Sequence, residues 1–356
     1  MLTRRDILAA SALLPVAASA ATLGGFDLLP ASSLAVAQPP GGKPPRLKAG
    51  DTVGLVEPSW SSGDGFEIAL AEETIRAMGL VPKLGRHVGT RYGFLAGRDE
   101  ARAADLNAMY ADPAVRAIFA VRGGSGAARV LPLLDWTAVR ANPKLLIGFS
   151  DIEALHMGIA ARAGTPTIHG PNVLNGNWGK LSWDAFRALA FEGATPTFAT
   201  PPGVDDRLVQ RSGRIRTFRP GKASGRLYGG NLLVLAALMG TPYLPDFSGA
   251  ILFLEEVDET PSRIDRMLTH LALGGVLRRL SGVVFGQCTN CTESEANFGR
   301  FTVSDVLEQH LTPLGIPAFE GALFGHIPDQ FSLPVGVRAE IDATAGTIQI
   351  LEPVVT

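Results

Sequence analysis

The sequence predicts an α/β protein: an N-terminal doubly wound parallel sheet followed by a smaller C-terminal β-rich domain, barrel-like and α+β in character. Three observations carry that expectation. From Asp51, short apolar runs alternate with segments of helical period, the pattern of parallel strands joined by helices. Near Ala194 the chain becomes rich in Pro, Gly, Thr and Arg and loses periodicity, which marks a connection. Beyond it helices and strands mix, and VRAEIDATAGTIQIL places a turn at Ala345-Gly346 between two alternating runs, a hairpin signal.

TVGLVEP is a strand by its apolar run, GFEIALAEETIRAMG an amphipathic helix, LVPKLGRH a strand and EARAADLNAMYAD a second helix. AIFAVRGGSG is a strand entering a glycine-rich turn. LLIGFSD is a strand entering a turn at Ser150, and IEALHMGIAARAG is the helix that follows. In the second half NLLVLAALMG and SRIDRMLTHLALGG read as helices, AILFLEE and GVVFGQ as strands. The expected division is residues 51–194 for the α/β domain, 195–222 for an irregular connection and 223–356 for the C-terminal domain. Ligands of parallel sheets bind at the carboxyl ends of the strands, where the turns after Val121 and Ile147 fall.

The 356 residues are 46% hydrophobic and 19% charged, enough for a sizeable core. A net charge of -2 offers no basic excess for nucleic acid or an anionic membrane surface. Arg4 and Arg5 precede a short, alanine-rich apolar stretch, the pattern of a twin-arginine export signal. Residues 1–37 are expected to be that signal, cleaved after Ala35-Val36-Ala37, with 38–50 as linker and the periplasm as destination. No later segment reads as a membrane span, so no stable membrane insertion is expected after cleavage. The two cysteines, Cys288 and Cys291, read as structural thiols or a local disulfide; a zinc site would need a second pair.

Ser150 carries two readings. With Glu153 three residues on, it forms an S-x-x-E capping box ahead of an apolar helix. A serine on a tight strand-to-helix turn also stands where free helical N–H groups can stabilise an oxyanion, as a nucleophile requires. A nucleophile needs a base and a carboxylate to orient it. Of six histidines, His156 lies about 600° around the helix from Ser150, His270 and His310 sit inside helical patterns, and His87 has little context. His169 in TIHGPN and His326 in LFGHIPDQ remain tied, each after an apolar run and beside glycine and proline. Glu255, Glu256, Asp258 and Glu259 end one strand and leave the carboxylate open.

Four ordered elements break the tie: GFSDIEALH, RGGSGAARVLPLLDW, the block from GRLYGGN to SRIDRMLTHL, and GHIPDQFSLPVG. Together they resemble the LD-carboxypeptidase family, which includes enzymes of microcin C self-immunity. The resemblance runs from about Thr52 to the C-terminus. It implies a Ser-Glu-His triad of Ser150 as nucleophile, Glu255 as orienting carboxylate and His326 as base. It points to the N–H groups of Asp151 and Gly124 as the oxyanion hole. Ile152 stands where the α/β-hydrolase elbow requires glycine, which disfavours that assignment. The family's glycine turn commonly carries an aromatic residue where Ser125 stands.

The resemblance implies hydrolysis of an amide between an L-centre and a C-terminal D-amino acid, such as terminal D-alanine of a murein tetrapeptide. It implies no metal or organic cofactor, and often a homodimer. Many relatives act on recycled wall peptides in the cytoplasm, whereas this chain carries an export signal. Arginine suits recognition of a free carboxylate, and Arg122, Arg226 and Arg263 are the candidates, with Trp178 lining a specificity loop. Two alternatives stand beside this reading: a microcin-immunity-like hydrolase of peptidyl or aminoacyl nucleotides, and an exported, non-catalytic binder of wall peptides in which Ser150 only caps.

Overall fold

The computed structural model describes residues 41–174, 178–201, 208–210, 213–292 and 301–356. The expected export signal, residues 1–37, lies outside them, as do linker residues 38–40. No helix among the described residues is long and apolar enough to cross a membrane.

In chain order the first strands are β1 (Thr52–Val56), β2 (Val81–Leu84), β3 (Val115–Ala120), β4 (Leu145–Gly148) and β5 (Thr167–His169). Then come β6 (Thr197–Ala199), β7 (Arg216–Arg219), β8 (Lys222–Asn231), β9 (Ile251–Val257) and β10 (Gly282–Thr289). The last are β11 (Ala318–Glu320), β12 (Leu333–Val335), β13 (Arg338–Asp342) and β14 (Thr347–Ile350).

One sheet has the order β12-β5-β4-β3-β1-β2, with β1 to β5 mutually parallel and β12 antiparallel at its edge. Its central strands are nearly continuous apolar runs, and every residue of β4 is buried, as covering helices on both faces require. The helices Gly65–Ala77, Asp99–Ala111 and Glu153–Arg162 follow β1, β2 and β4. Asp64 caps the first through a side-chain oxygen that accepts from the Glu67 N–H.

The second sheet has the order β6-β14-β13-β8-β9-β10-β11-β7. Strands β8 to β11 run parallel, and β7, β13, β14 and β6 are antiparallel additions. The expected barrel character is corrected here: the sheet is open, ending at β6 and β7. The α/β class and the mixed helix-and-strand character of the second half stand. The β13–β14 hairpin turns through Ala345 and Gly346, where Gly346 takes φ +68° and its N–H donates to Asp342 O. Residues 195–222, expected to be irregular, contribute β6 and β7 to this sheet.

Strand β8 joins the two sheets. The helix Glu153–Arg162 packs on it, and Gly336, just after β12, donates its N–H to Leu227 O of β8. One apolar cluster runs through both halves. At its centre Phe253 of β9 is wholly buried, edge-on to His169 (5.3 Å) and to Phe324 (5.5 Å). Truncating such a ring costs about 3–5 kcal/mol. Cys288 and Cys291 are joined as a disulfide.

Candidate active site

Four strand ends of the first sheet converge. After β1 the chain carries Trp60, after β3 the turn from Arg122 to Gly126, after β4 Ser150, and after β5 Asn172. From the second half, His326 in the loop after β11 completes a cleft of ≈ 240 Å³ lined by Trp60, Arg122, Gly124, Ser150, Asn172 and His326 among others.

Ser150 has φ +65°, in the left-handed region that costs a non-glycine residue about 1–3 kcal/mol. Such strain is retained only where the surroundings impose it. Asn172 does so, accepting the Phe149 N–H through Oδ1 (3.2 Å) and donating through Nδ2 to Phe149 O (3.4 Å). Gly123 packs so closely that a Cβ there would lie 3.0 Å from Ser150 Cβ. Asp151, the next residue, turns inward, its Oδ2 accepting from Ser59 Oγ (2.5 Å) and the Ala127 N–H (2.7 Å).

The capping-box reading does not survive. Phe149 and Ile152 occupy the two N-cap positions of this turn and helix, and neither makes a side-chain cap bond. Glu153 points into the interior, fully buried, its Oε2 3.6 Å from His169 Nδ1. Burial, reinforced by the charge of Glu255, holds the Glu153 carboxyl well above the usual range.

His326 Nδ1 lies 2.7 Å from Glu255 Oε2. Glu255 is wholly buried on β9, and its Oε1 accepts from Asn231 Nδ2 at 3.2 Å, the residue paired beside it on β8. Gly325, at φ +118°, lets the loop approach: a Cβ would stand 3.0 Å from Glu255 Oε2. Burial works against the charged form of His326. The hydrogen bond and charge of Glu255, with the charges of Glu256 and Asp258, outweigh it and raise the imidazole pKa above its ordinary value. Glu256, also buried, is pushed up to about 7.

His169 lies beneath this dyad, wholly buried, with Phe149 between the two rings (6.0 Å to His169, 4.8 Å to His326). Burial, then the charges of His156 and His326, hold it well below the ordinary imidazole value. Thus the two histidines tied in sequence are near neighbours, but only His326 reaches the cleft. His156 is locked in the interior between Gly148 O (2.9 Å) and Thr167 Oγ1 (2.8 Å), its pKa lowered by burial to about 4.

Gly124, at φ +130°, lies under Trp60, whose Cγ would be 2.3 Å from an added Cβ. An aromatic wall therefore stands over the glycine turn, supplied by the loop after β1. Sequence reading missed Trp60; its only signal was a tryptophan just past the carboxyl end of a strand. Glu57 fixes that loop by accepting the Ser62 and Gly89 N–H groups at 2.7 and 2.8 Å.

Arg122 lies in the cleft, 5.7 Å over the Trp60 ring, with one N–H donated to Ser61 O at 3.2 Å. The other carboxylate candidates are elsewhere. Arg226 donates to Gly336 O (2.7 Å) in a separate cavity with Lys43 and Glu352, and Arg263 pairs with Glu259 at 2.5 Å outside the residues that line the cleft. Trp178 also stays out of the lining and packs against Phe186 and Phe119 at 5.3 and 6.5 Å. Among the described residues no group of three or more metal-ligating side chains comes together.

A strained serine in the same cleft as an imidazole that is held by a buried carboxylate supplies the residue types that nucleophilic catalysis on a carbonyl needs. Comparison with known proteins agrees with a peptidase. Residues 53–170 match the LD-carboxypeptidase N-terminal domain and residues 224–341 the LD-carboxypeptidase C-terminal domain. The chain belongs to the LD-carboxypeptidase family, a family of peptidases. It is 34% identical over 308 residues to a "Probable murein peptide carboxypeptidase" of Bacillus subtilis, covering 86% of this chain and 94% of that protein. It is 32% identical to the murein tetrapeptide carboxypeptidase of Pseudomonas aeruginosa, covering 76% and 88% of the two chains. Its fold is that of MccF in complex with glutamyl sulfamoyl guanosine, with a TM-score of 0.79 at 24% identity over 88% of this chain and 99% of that one.

Proposed function

We propose that the protein is an exported serine peptidase that releases a C-terminal D-amino acid from an L,D amide, such as D-alanine from a murein tetrapeptide. One observation carries the reading: the 2.7 Å His326–Glu255 pair opens into the same cleft as the strained Ser150. Ser150 Oγ attacks the scissile carbonyl while His326 Nε2 takes its proton. His326 then returns the proton to the leaving amine, and water hydrolyses the acyl-enzyme by the same base. Glu255 fixes the tautomer with the proton on Nδ1 and stabilises the imidazolium. The N–H groups of Asp151 and Gly124 are the oxyanion donors, and Arg122 receives the substrate's free carboxylate. Names of relatives support the murein substrate. The disulfide supports export, since such bonds persist in oxidising compartments.

A second substrate class has its own support: the fold is shared with MccF, whose structure holds an aminoacyl sulfamoyl nucleoside. Mass spectrometry of products from a murein tetrapeptide and from a peptidyl adenylate analogue separates the two. Loss of one alanine residue from the tetrapeptide is expected. Cleavage of the adenylate analogue alone would overturn the murein reading and leave the triad in place.

A further inference from the structure

Strand β10 ends at Cys288-Thr289, and the disulfide to Cys291 closes Cys288-Thr289-Asn290-Cys291 into a four-residue ring. The ring lies alongside the end of β9 that carries Glu255: Cys288 pairs with Glu256 and Thr289 with Val257. Thr289 faces the candidate base directly, its Oγ1 donating to His326 O at 2.7 Å. Its own carbonyl accepts the Asp258 N–H at 2.9 Å. Asn290, at φ +57°, donates through Nδ2 to Asp258 Oδ1 at 3.0 Å. Just before the ring, Gln287 donates its N–H to Phe324 O at 2.9 Å and its Nε2 to Gly321 O and Ala322 O.

His326 lies in neither helix nor strand, so its backbone is held by contacts of this kind. We infer that Thr289 is a positioning residue for His326 and that the Cys288–Cys291 disulfide holds Thr289 in register, making turnover sensitive to the redox state of the ring. The inference rests on the reading of His326 as general base. A four-residue ring gains little from loop closure, a stabilisation that grows with ring length, so its main effect is local geometry. Without the bridge, Asn290 is free to leave the left-handed region. Thr289 Oγ1 and the Asp258 backbone then lose their fixed positions together. The groups whose charge acts on His326 are Glu255 and Glu256 of β9, Asp258 just past its end, and His169 of β5; Asp258 is the one whose side chain a ring residue, Asn290, bonds.

The redox step balances with a dithiol. The dithiol supplies two electrons and two protons, the Cys288–Cys291 bond becomes two thiols, and the dithiol becomes its own disulfide. Oxidised reagent of the same class restores the bridge.

The test is the rate constant for labelling of Ser150 by a fluorophosphonate probe, which needs no assumption about substrate. It is measured for the wild type, Thr289→Val, Thr289→Ser, His326→Ala and Cys288→Ser/Cys291→Ser, with and without dithiothreitol. Thr289→Val is expected to label about tenfold more slowly, since small displacements of a reacting group are costly, and Thr289→Ser to recover most of the loss. Dithiothreitol is expected to slow the wild type reversibly and to leave the double cysteine variant unchanged. Wild-type labelling of Thr289→Val, or equal slowing of the double variant by dithiothreitol, overturns the inference while Ser150 labelling upholds the triad. No labelling of the wild type, or full labelling of His326→Ala, removes the triad reading and this inference with it.

Discussion

Replacing Glu255 by glutamine removes one charge from beneath His326 and changes little else in shape. Glu255 is wholly buried and its Oε2 is 2.7 Å from Nδ1, so water cannot take over the lost interaction. A hydrogen bond to a charged group contributes about 1.5–3 kcal/mol net. At about 1.4 kcal/mol per pKa unit, that amounts to a drop of about one to two units in the His326 pKa. The sign follows from the role. A general base acts when neutral, so the rate falls as pH drops through the His326 pKa. In the wild type that acid limb should lie above the ordinary imidazole value, because Glu255 and its neighbouring carboxylates outweigh the effect of burial on His326. In Glu255→Gln it should move to lower pH by about one to two units. The plateau rate should also fall by about 10³–10⁴-fold, because an amide no longer enforces the productive tautomer. The assay is kcat/KM for tetrapeptide hydrolysis from pH 5 to 9, with the folded state checked by near-UV circular dichroism. An acid limb that stays in place, or moves upward, would refute the argument.

Other substitutions read other parts of the site. Ser150→Gly should abolish hydrolysis and raise the urea midpoint by an amount equivalent to about 1 kcal/mol, because glycine adopts φ +65° without strain; a lower midpoint would contradict the strained turn. Gly124→Ala places a Cβ against the Trp60 ring at φ +130°, so kcat should fall about 10²–10³-fold if its N–H serves the oxyanion, and an unchanged kcat would remove it from that role. Arg122→Gln should raise KM about 10–100-fold for a peptide with a free C-terminal carboxylate. It should make little difference for the amidated peptide, and equal effects on both would show that Arg122 shapes the cleft instead.

The alternation of strands and helices was legible because each element's apolar pattern is local. The placement of Ser150 and RGGSG at strand ends followed from it. What was hidden depended on distant packing. Strand β8 escaped notice because its glycines lower β-propensity, yet Gly229 is required where a Cβ would sit 1.8 Å from Phe253 O, and Gly230 where it would meet Glu153. The S-x-x-E pattern suggested a cap, but Glu153 is drawn into the core beside His169, a neighbour that local sequence cannot announce. Likewise His169 and His326 have similar local contexts, and only tertiary structure buries one and opens the other to the cleft. Among the carboxylates at the end of β9, Glu255 is the one that meets His326 of the loop after β11, 71 residues along the chain, a contact that local sequence does not announce.

The central claim is that Ser150 is a nucleophile activated by His326. Peptide mapping by mass spectrometry after reaction of the folded protein with a fluorophosphonate tests it most directly. The account predicts a single adduct on Ser150, absent from urea-unfolded protein and strongly reduced in His326→Ala. Folded protein that stays unmodified at Ser150, or that carries the adduct on another residue, would contradict it.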